Sequence, residues 1–275
     1  MGDFGTQGEL PSHPELLDWL AVEYMENGWD TKALVKKIVL SAAYRQTSKY
    51  VPGYADKDPY NRLIHRQSRF RLSAEEVRDN ALAVAGLLSR KIGGPSVMPY
   101  QPPDFYKGKH NDWRWEQSKG EDLYRRGLYT FWRRTTPYPT FTIFDAPSRE
   151  DCCVMRPRTT SPLQALALLN DPQFVEAARV FAQRILTEGQ ADLDARIAHA
   201  FRLTVARMPT DEERAVVRKL FEQQLAHYQA NPEAAADLLR AGEFPRPENL
   251  DAAELAAWMA IGNVLLSLDE TITRE

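Results

Sequence analysis

The sequence predicts a mainly α fold, a bundle of about seven or eight helices around an irregular aromatic-rich insert. Three observations predict it. Apolar residues recur at i, i+3, i+4 spacing on both sides of residues 95–160. Ser, Thr or Asp caps open most of these runs, several with Glu or Gln three residues later. No long alternating strand and no strand-Gly-helix phosphate motif occurs. The expected organisation is one domain over residues 1–275, with a helical part at 1–94, the insert at 95–160 and a second helical part at 161–275.

Ser12 with Glu15 reads as a capping box opening a helix that carries Leu16, Leu17, Leu20, Ala21 and Tyr24 on one face. Asn27 and Gly28 stop it. Asp30 or Thr31 caps a second helix, where Leu34, Val35, Ile38, Val39 and Ala42 predict a buried stripe, and the short connection predicts an antiparallel hairpin. Arg62, Arg66, Arg69 and Arg71 close the polar stretch that follows and read mainly as surface groups, with anion binding as the alternative. Ser73 with Glu76 opens a helix bearing Val77, Ala81, Leu82, Val84, Ala85 and Leu88, ended by Gly93, Gly94 and Pro95.

After the insert, Ser161 caps a helix with Pro162 at its first position, Gln164 completing the box and Leu163, Leu166 and Leu169 following. Asp171 and Pro172 start another, with Phe174, Ala178, Phe181 and Ile185 on one face. Further runs are expected near residues 192–206, 211–230 with Thr210 and Glu213 as cap, and 251–268 with Leu255, Trp258, Met259, Leu265 and Leu266.

The insert concentrates 12 of the 28 aromatic residues between residues 100 and 144, so it must bury much of itself. Gly127 to Trp132 and Thr140 to Phe144 have the β-branched and aromatic content of short strands, which predicts a β-hairpin turned by RRTTPYP.

Composition narrows the function. The 275 residues are 43% hydrophobic and 27% charged, ordinary for a soluble globular chain, and no window nears the run of about 20 apolar residues that a spanning helix needs. Residues 188–275 hold 16 acidic against 9 basic side chains, and residues 100–160 reverse the balance with 11 basic against 8 acidic. That pattern argues against a nucleic-acid binder. Cys152 and Cys153 are adjacent, a spacing that gives no zinc pair, no C-x-x-C and no C-x-x-C-H haem attachment, and no metal site is expected.

Candidate ligand-binding residues cluster in the insert. His110 beside Trp113 lies in irregular chain, where functional residues concentrate. Trp113, Trp115, Tyr129 and Trp132 offer flat faces to a sugar, or form a satellite core of the loop. Asp145 before Ala146 and Pro147, with Arg149, Arg156 and Arg158, reads as a buried Asp–Arg network or a binding point for an acidic ligand. The expectation most open to test is that Asp145 and Arg158 lie close together. Paired carboxylates for a hydrolase would come from Asp104, Asp112, Glu116, Asp145 or Glu150.

Several segments in order, including LSAAYRQ, RLSAEEVRDNALAVAGLLS, YRRGLYTFWRRT, FDAPSRE, RTTSPLQALALLND and LLSLDETITRE, make the chain resemble the C-terminal PSD-one domain. That domain of unknown function occurs in planctomycete-type proteins that also carry a cytochrome-c-like domain. The resemblance implies a piece of a longer extracytoplasmic protein, with haem c supplied by an upstream domain and none held by this chain. It implies as partners that haem-c domain, a second domain of unknown function and polysaccharide, with no nucleic acid and no membrane span. It brings no catalytic residue. Three functions follow as expectations: a carbohydrate-binding module, a glycan-acting hydrolase using acids of the insert, or a docking surface for the haem domain.

Overall fold

The capping chemistry read from the sequence sets most helix starts. A computed structural model describes residues 5–54, 56–102, 105 and 114–274. Asp30 accepts from the Ala33 amide at 3.0 Å and opens α2 (Thr31–Leu40) after α1 (Pro14–Glu26). Ser73 and Glu76 form the expected box at the start of α3 (Ala74–Ala85). After the short α4 (Pro139–Ile143), Ser161 with Pro162 opens α5 (Pro162–Asn170), and Asp171 with Pro172 opens α6 (Pro172–Glu188). Asp192 caps α7 (Leu193–Val205), and the Thr210–Glu213 box starts α8 (Asp211–Ala230). Asp251 caps α10 (Ala252–Leu266), which follows α9 (Pro232–Leu238) and precedes α11 (Asp269–Ile272). The fold is mainly helical, with a small two-stranded sheet of β1 (Phe70–Arg71) and β2 (Thr273–Arg274) among the described residues.

The chain divides into two compact units, Met1–Phe70 with Thr273–Glu275, and Arg71–Ile272. In the second, α6 and α10 form the centre, with α3 against α6 and α8 against α10. α10 is apolar all round, as an enclosed helix must be, and buries Leu255, Trp258, Met259, Ile261 and Leu265. Gly262 lets it approach α6, since a Cβ there would stand 3.0 Å from the Ala178 carbonyl oxygen. Phe221 of α8 meets Trp258 at 4.9 Å between ring centroids.

In the first unit the Lys37 ammonium pairs with Glu23, the Tyr24 hydroxyl bonds Thr31 at 2.9 Å, and Lys37 lies 5.1 Å from the Trp19 ring centroid. The expected stripe on α2 is not buried: neither α1 nor α2 encloses a residue. Two short helices and a long polar segment have too little volume to cover two apolar faces. Nor does Ser12 cap α1. His13 takes the cap position and the Ser12 hydroxyl bonds its Nδ1 at 3.0 Å, because Pro14 fixes the first helical residue.

Three other expectations are corrected. Gly127–Tyr129 is a 3₁₀ turn and Pro139–Ile143 is helical, so no hairpin forms there. The bulky residues that suggested strands are there for burial, since Tyr138 and Phe141 are enclosed and meet edge to face at 5.0 Å. α3 ends at left-handed Gly86 rather than at Gly93, and Leu87 and Leu88 fold back to the Leu82 carbonyl. On α5 the leucines point outward, Leu163 and Leu166 being 56% and 55% exposed, while Gln164, Ala167 and Leu168 face inward. Gln164 decides that rotation by donating to the Ile143 carbonyl at 3.0 Å.

Arg207, just past the left-handed C-cap Ala206 of α7, is held by two carboxylates. It reaches Glu213 at 2.7 and 2.8 Å and Glu270 at 2.7 and 2.8 Å. Hydrogen bonding to Arg207 holds the Glu213 carboxyl down at about 2. A folded pKa below the unfolded one gives stability that is present above the ordinary glutamate range and lost as pH falls toward the folded value. Both groups are about one-third exposed, so the expected contribution is about 1 kcal/mol. Glu213→Gln, which keeps the cap acceptor, should flatten the fall in melting temperature between about pH 5 and pH 2.5 by about 2–4 °C in thermal melts. An unchanged acid limb would refute this.

Candidate functional site

Buried guanidinium groups give the irregular insert its shape. Arg78 of α3, 1% exposed, donates to the Arg125 carbonyl at 2.6 Å, the Leu123 carbonyl at 2.8 Å and Gln173 Oε1 at 2.8 Å. Burial pulls this guanidinium below its ordinary pKa, with Tyr138, Asp79 and Asp171 opposing the shift. Arg125, equally buried, donates to the Pro95 carbonyl at 3.0 Å and to the Gly93 carbonyl, and lies 3.9 Å from the Tyr129 ring centroid. The Asp79 carboxylate accepts from the Gly127 amide at 2.6 Å; burial raises its pKa. Val97 and Thr130 make an isolated bridge. Loop carbonyls without a helix or sheet ladder thus find donors on side chains.

The aromatic faces are occupied from within. Trp115 stacks on Tyr138 at 5.7 Å and donates its indole N–H to the Pro99 carbonyl at 2.8 Å. Trp132 stacks on Phe141 at 6.4 Å, donates to the Ser148 carbonyl at 3.1 Å, and carries the Arg149 guanidinium 4.1 Å from its ring centroid. The Tyr129 hydroxyl accepts from the Gly93 amide at 2.8 Å. His110 and Trp113, like Asp104 and Asp112, lie outside the described residues.

Asp145 is placed by the end of α4. The Ala146 amide bonds the Phe141 carbonyl at 2.9 Å and the Asp145 amide bonds the Thr142 carbonyl at 3.2 Å, a Schellman ending with Asp145 at its left-handed position, φ 62°. Aspartate is one of the few residues with a side chain that tolerates this conformation. Its carboxylate accepts from the Thr159 amide at 2.7 Å, from the Thr159 hydroxyl at 2.8 and 3.0 Å, and from Gln164 Nε2 at 3.3 Å.

Asp145 opens onto a cleft of about 30 Å³ lined also by Arg71, Ser73, Arg156, Arg158 and Gln164. Asp145, Arg156 and Arg158 thus line one cleft, with the Asp145 carboxylate held by Thr159 and Gln164, while Arg149 goes instead to Trp132. Arg71 donates to the Thr160 hydroxyl at 3.1 Å and Arg156 to Glu75 at 2.7 Å, tying the segment after Cys153 to the first turn of α3. Gln164 is fully enclosed, and its Oε1 meets no donor. Sequence reasoning gave no site role to Ser73 or Gln164, and gave Arg71 anion binding only as the alternative to a surface role. The usable signal was Gln164 at the third position of a Ser-Pro helix start, which aims its side chain back over the preceding loop.

A second charged centre also went unread. Glu176 and Arg179 of α6, each 1% exposed, face the turn between α9 and α10. Glu176 Oε1 accepts from the Tyr124 hydroxyl at 2.9 Å and the Phe244 amide at 2.7 Å. Arg179 donates to the Ala241 and Phe244 carbonyls at 2.8 and 2.6 Å. Burial, followed by the Glu176 charge, pushes the Tyr100 and Tyr124 hydroxyls well above the ordinary tyrosine range. Three of the four named bonds close the main-chain turn at Ala241 and Phe244, so this centre is a clasp.

Among the described residues no cluster of three His, Cys, Asp or Glu side chains can hold a metal ion, and no helix is long and apolar enough to cross a membrane. Cys152 and Cys153 are exposed free thiols. Glu116 and Glu150 are exposed, and Asp145 is the single acid among the described residues lining the cleft.

No curated protein and no solved structure matches the chain. Residues 1–221 match PSD1, described as a protein of unknown function (DUF1553). With most of its length inside that match, the chain belongs to the PSD1 family of unknown function.

Proposed function

We propose that this domain is a carbohydrate-binding module whose binding point is the Asp145 cleft. The observation that supports it is the convergence of Asp145, Arg156, Arg158, Arg71 and Gln164 on one small opening, beside Leu72, Phe144 and Pro157. Guanidinium donors and a carboxylate acceptor at one opening are the kinds of group that orient a polyhydroxylated ligand. Hydrolysis has less support, since two carboxyl groups must flank a scissile glycosidic bond and the cleft lining described offers one. The family resemblance supports a setting in the cell envelope beside a c-type cytochrome domain that brings its own haem, and leaves haem docking as the rival role. A signal peptide and C-x-x-C-H in the upstream coding sequence would bear that setting out.

The binding test is a glycan array with ligand-observed NMR on the purified chain and on Asp145→Asn, which keeps the left-handed turn. Binding weakened tenfold or more in the variant, at unchanged circular dichroism, is expected. A folded protein that binds no glycan would refute the proposal.

A further inference from the structure

We propose that the helix pair α1 and α2 of the first unit is a self-association surface, on which a second copy of this chain sets its α1 against α2 and its α2 against α1. Both helices carry uncovered apolar stripes. Leu16 and Leu17 on α1, and Val35, Ile38 and Val39 on α2, have the helical spacing of core residues, yet they are 37–55% exposed. Phe174, Ala178 and Phe181 of α6, at the same kind of spacing, are at most 2% exposed. An apolar face left open on both members of a helix pair marks a surface that another chain covers.

Charge identifies the occupant. α1 carries Glu15, Asp18, Glu23 and Glu26 with no Lys or Arg, whereas α2 carries Lys32, Lys36 and Lys37 with no Asp or Glu. Within one copy Lys37 pairs with Glu23, and among the described residues no ion pair takes up Glu15, Asp18, Glu26, Lys32 or Lys36. Those five charges remain available to a partner. A face with acid on one helix and base on the other is complementary to itself once a two-fold axis runs along the pair, because the rotation lays each acidic α1 over the basic α2 of the other copy. Packing α1 on α1, or α2 on α2, would bring like charges together. A partner of uniform charge would meet one helix favourably and be repelled by the other.

Sedimentation equilibrium of the whole chain tests this, up to a concentration on the order of 100 μM. The parent should reach twice the mass of one chain. Glu15→Lys, Asp18→Lys and Glu26→Lys together turn α1 basic on balance, and Lys32→Glu with Lys36→Glu turns α2 acidic on balance; all five positions are exposed, so circular dichroism should not change. Each variant alone should self-associate at least tenfold more weakly than the parent. An equimolar mixture of the two should recover the dimer, because each supplies the charge that the other lacks. A parent that stays monomeric throughout that range would overturn the proposal and leave the face to a different protein. A dimer that both variants keep would overturn it too, since it would be built on another surface.

Discussion

Replacing Gly242 by alanine is expected to destabilise the protein by about 3 kcal/mol, combining a left-handed backbone that alanine resists with a clash against the buried Glu176 carboxylate. Gly242 has φ +82°, and a Cβ there would stand 2.1 Å from Glu176 Cδ. A flexible carboxylate would ordinarily swing away. This one is pinned by the Tyr124 hydroxyl and the Phe244 amide, with Arg179 beside it at 3.8 Å. The melting temperature should fall by about 6–12 °C. Glu176→Ala removes the colliding group, so the double variant should be destabilised by markedly less than the sum of the two single changes. Strict additivity, or a Gly242→Ala protein that melts like the parent, would show that the turn does not sit against Glu176.

Arg78→Met should cost a similar amount, about 3 kcal/mol or more, by a different route. The methionine fills much of the same volume but leaves the carbonyls of Leu123 and Arg125 and the Gln173 oxygen without donors inside the fold. Arg78→Lys keeps the charge yet offers one compact ammonium to acceptors that a planar group now reaches together, so it should fall between the two. Thermal melts give the order, and near-ultraviolet circular dichroism should show aromatic residues of the insert losing fixed packing in Arg78→Met. A variant melting within about 2 °C of the parent would sink the claim that Arg78 organises the insert.

Helix starts were legible because capping is local: Ser73 with Glu76, and Thr210 with Glu213, lie three residues apart and need no tertiary partner. That Asp145 and Arg158 line one cleft was legible for a related reason, since a turn brings near neighbours together. Arg71 reaches the same cleft from far along the chain, and nothing local distinguishes it from Arg62, which pairs with Glu9. The leucines of α5 misled because helical spacing gives the angle between side chains but not which side meets the core. The proposed hairpin failed similarly, bulky residues being common to strands and to buried loops. Arg78 and Arg125 were invisible as organisers because their partners are carbonyl oxygens, which every residue possesses.

Side chains that grip carbonyls constrain an insert differently from a helix or a strand. A helix or strand imposes a periodic demand on the residues that form it, whereas a guanidinium that grips carbonyls asks only that the main chain pass through certain points. Two arginines therefore fix the main chain at Lys91, Gly93, Pro95, Leu123 and Arg125 through carbonyl oxygens, a grip that reads no side chain. A path set this way carries no periodic demand between its grips, so a substitution that spares the gripped carbonyls and the buried residues beside them leaves the route unchanged.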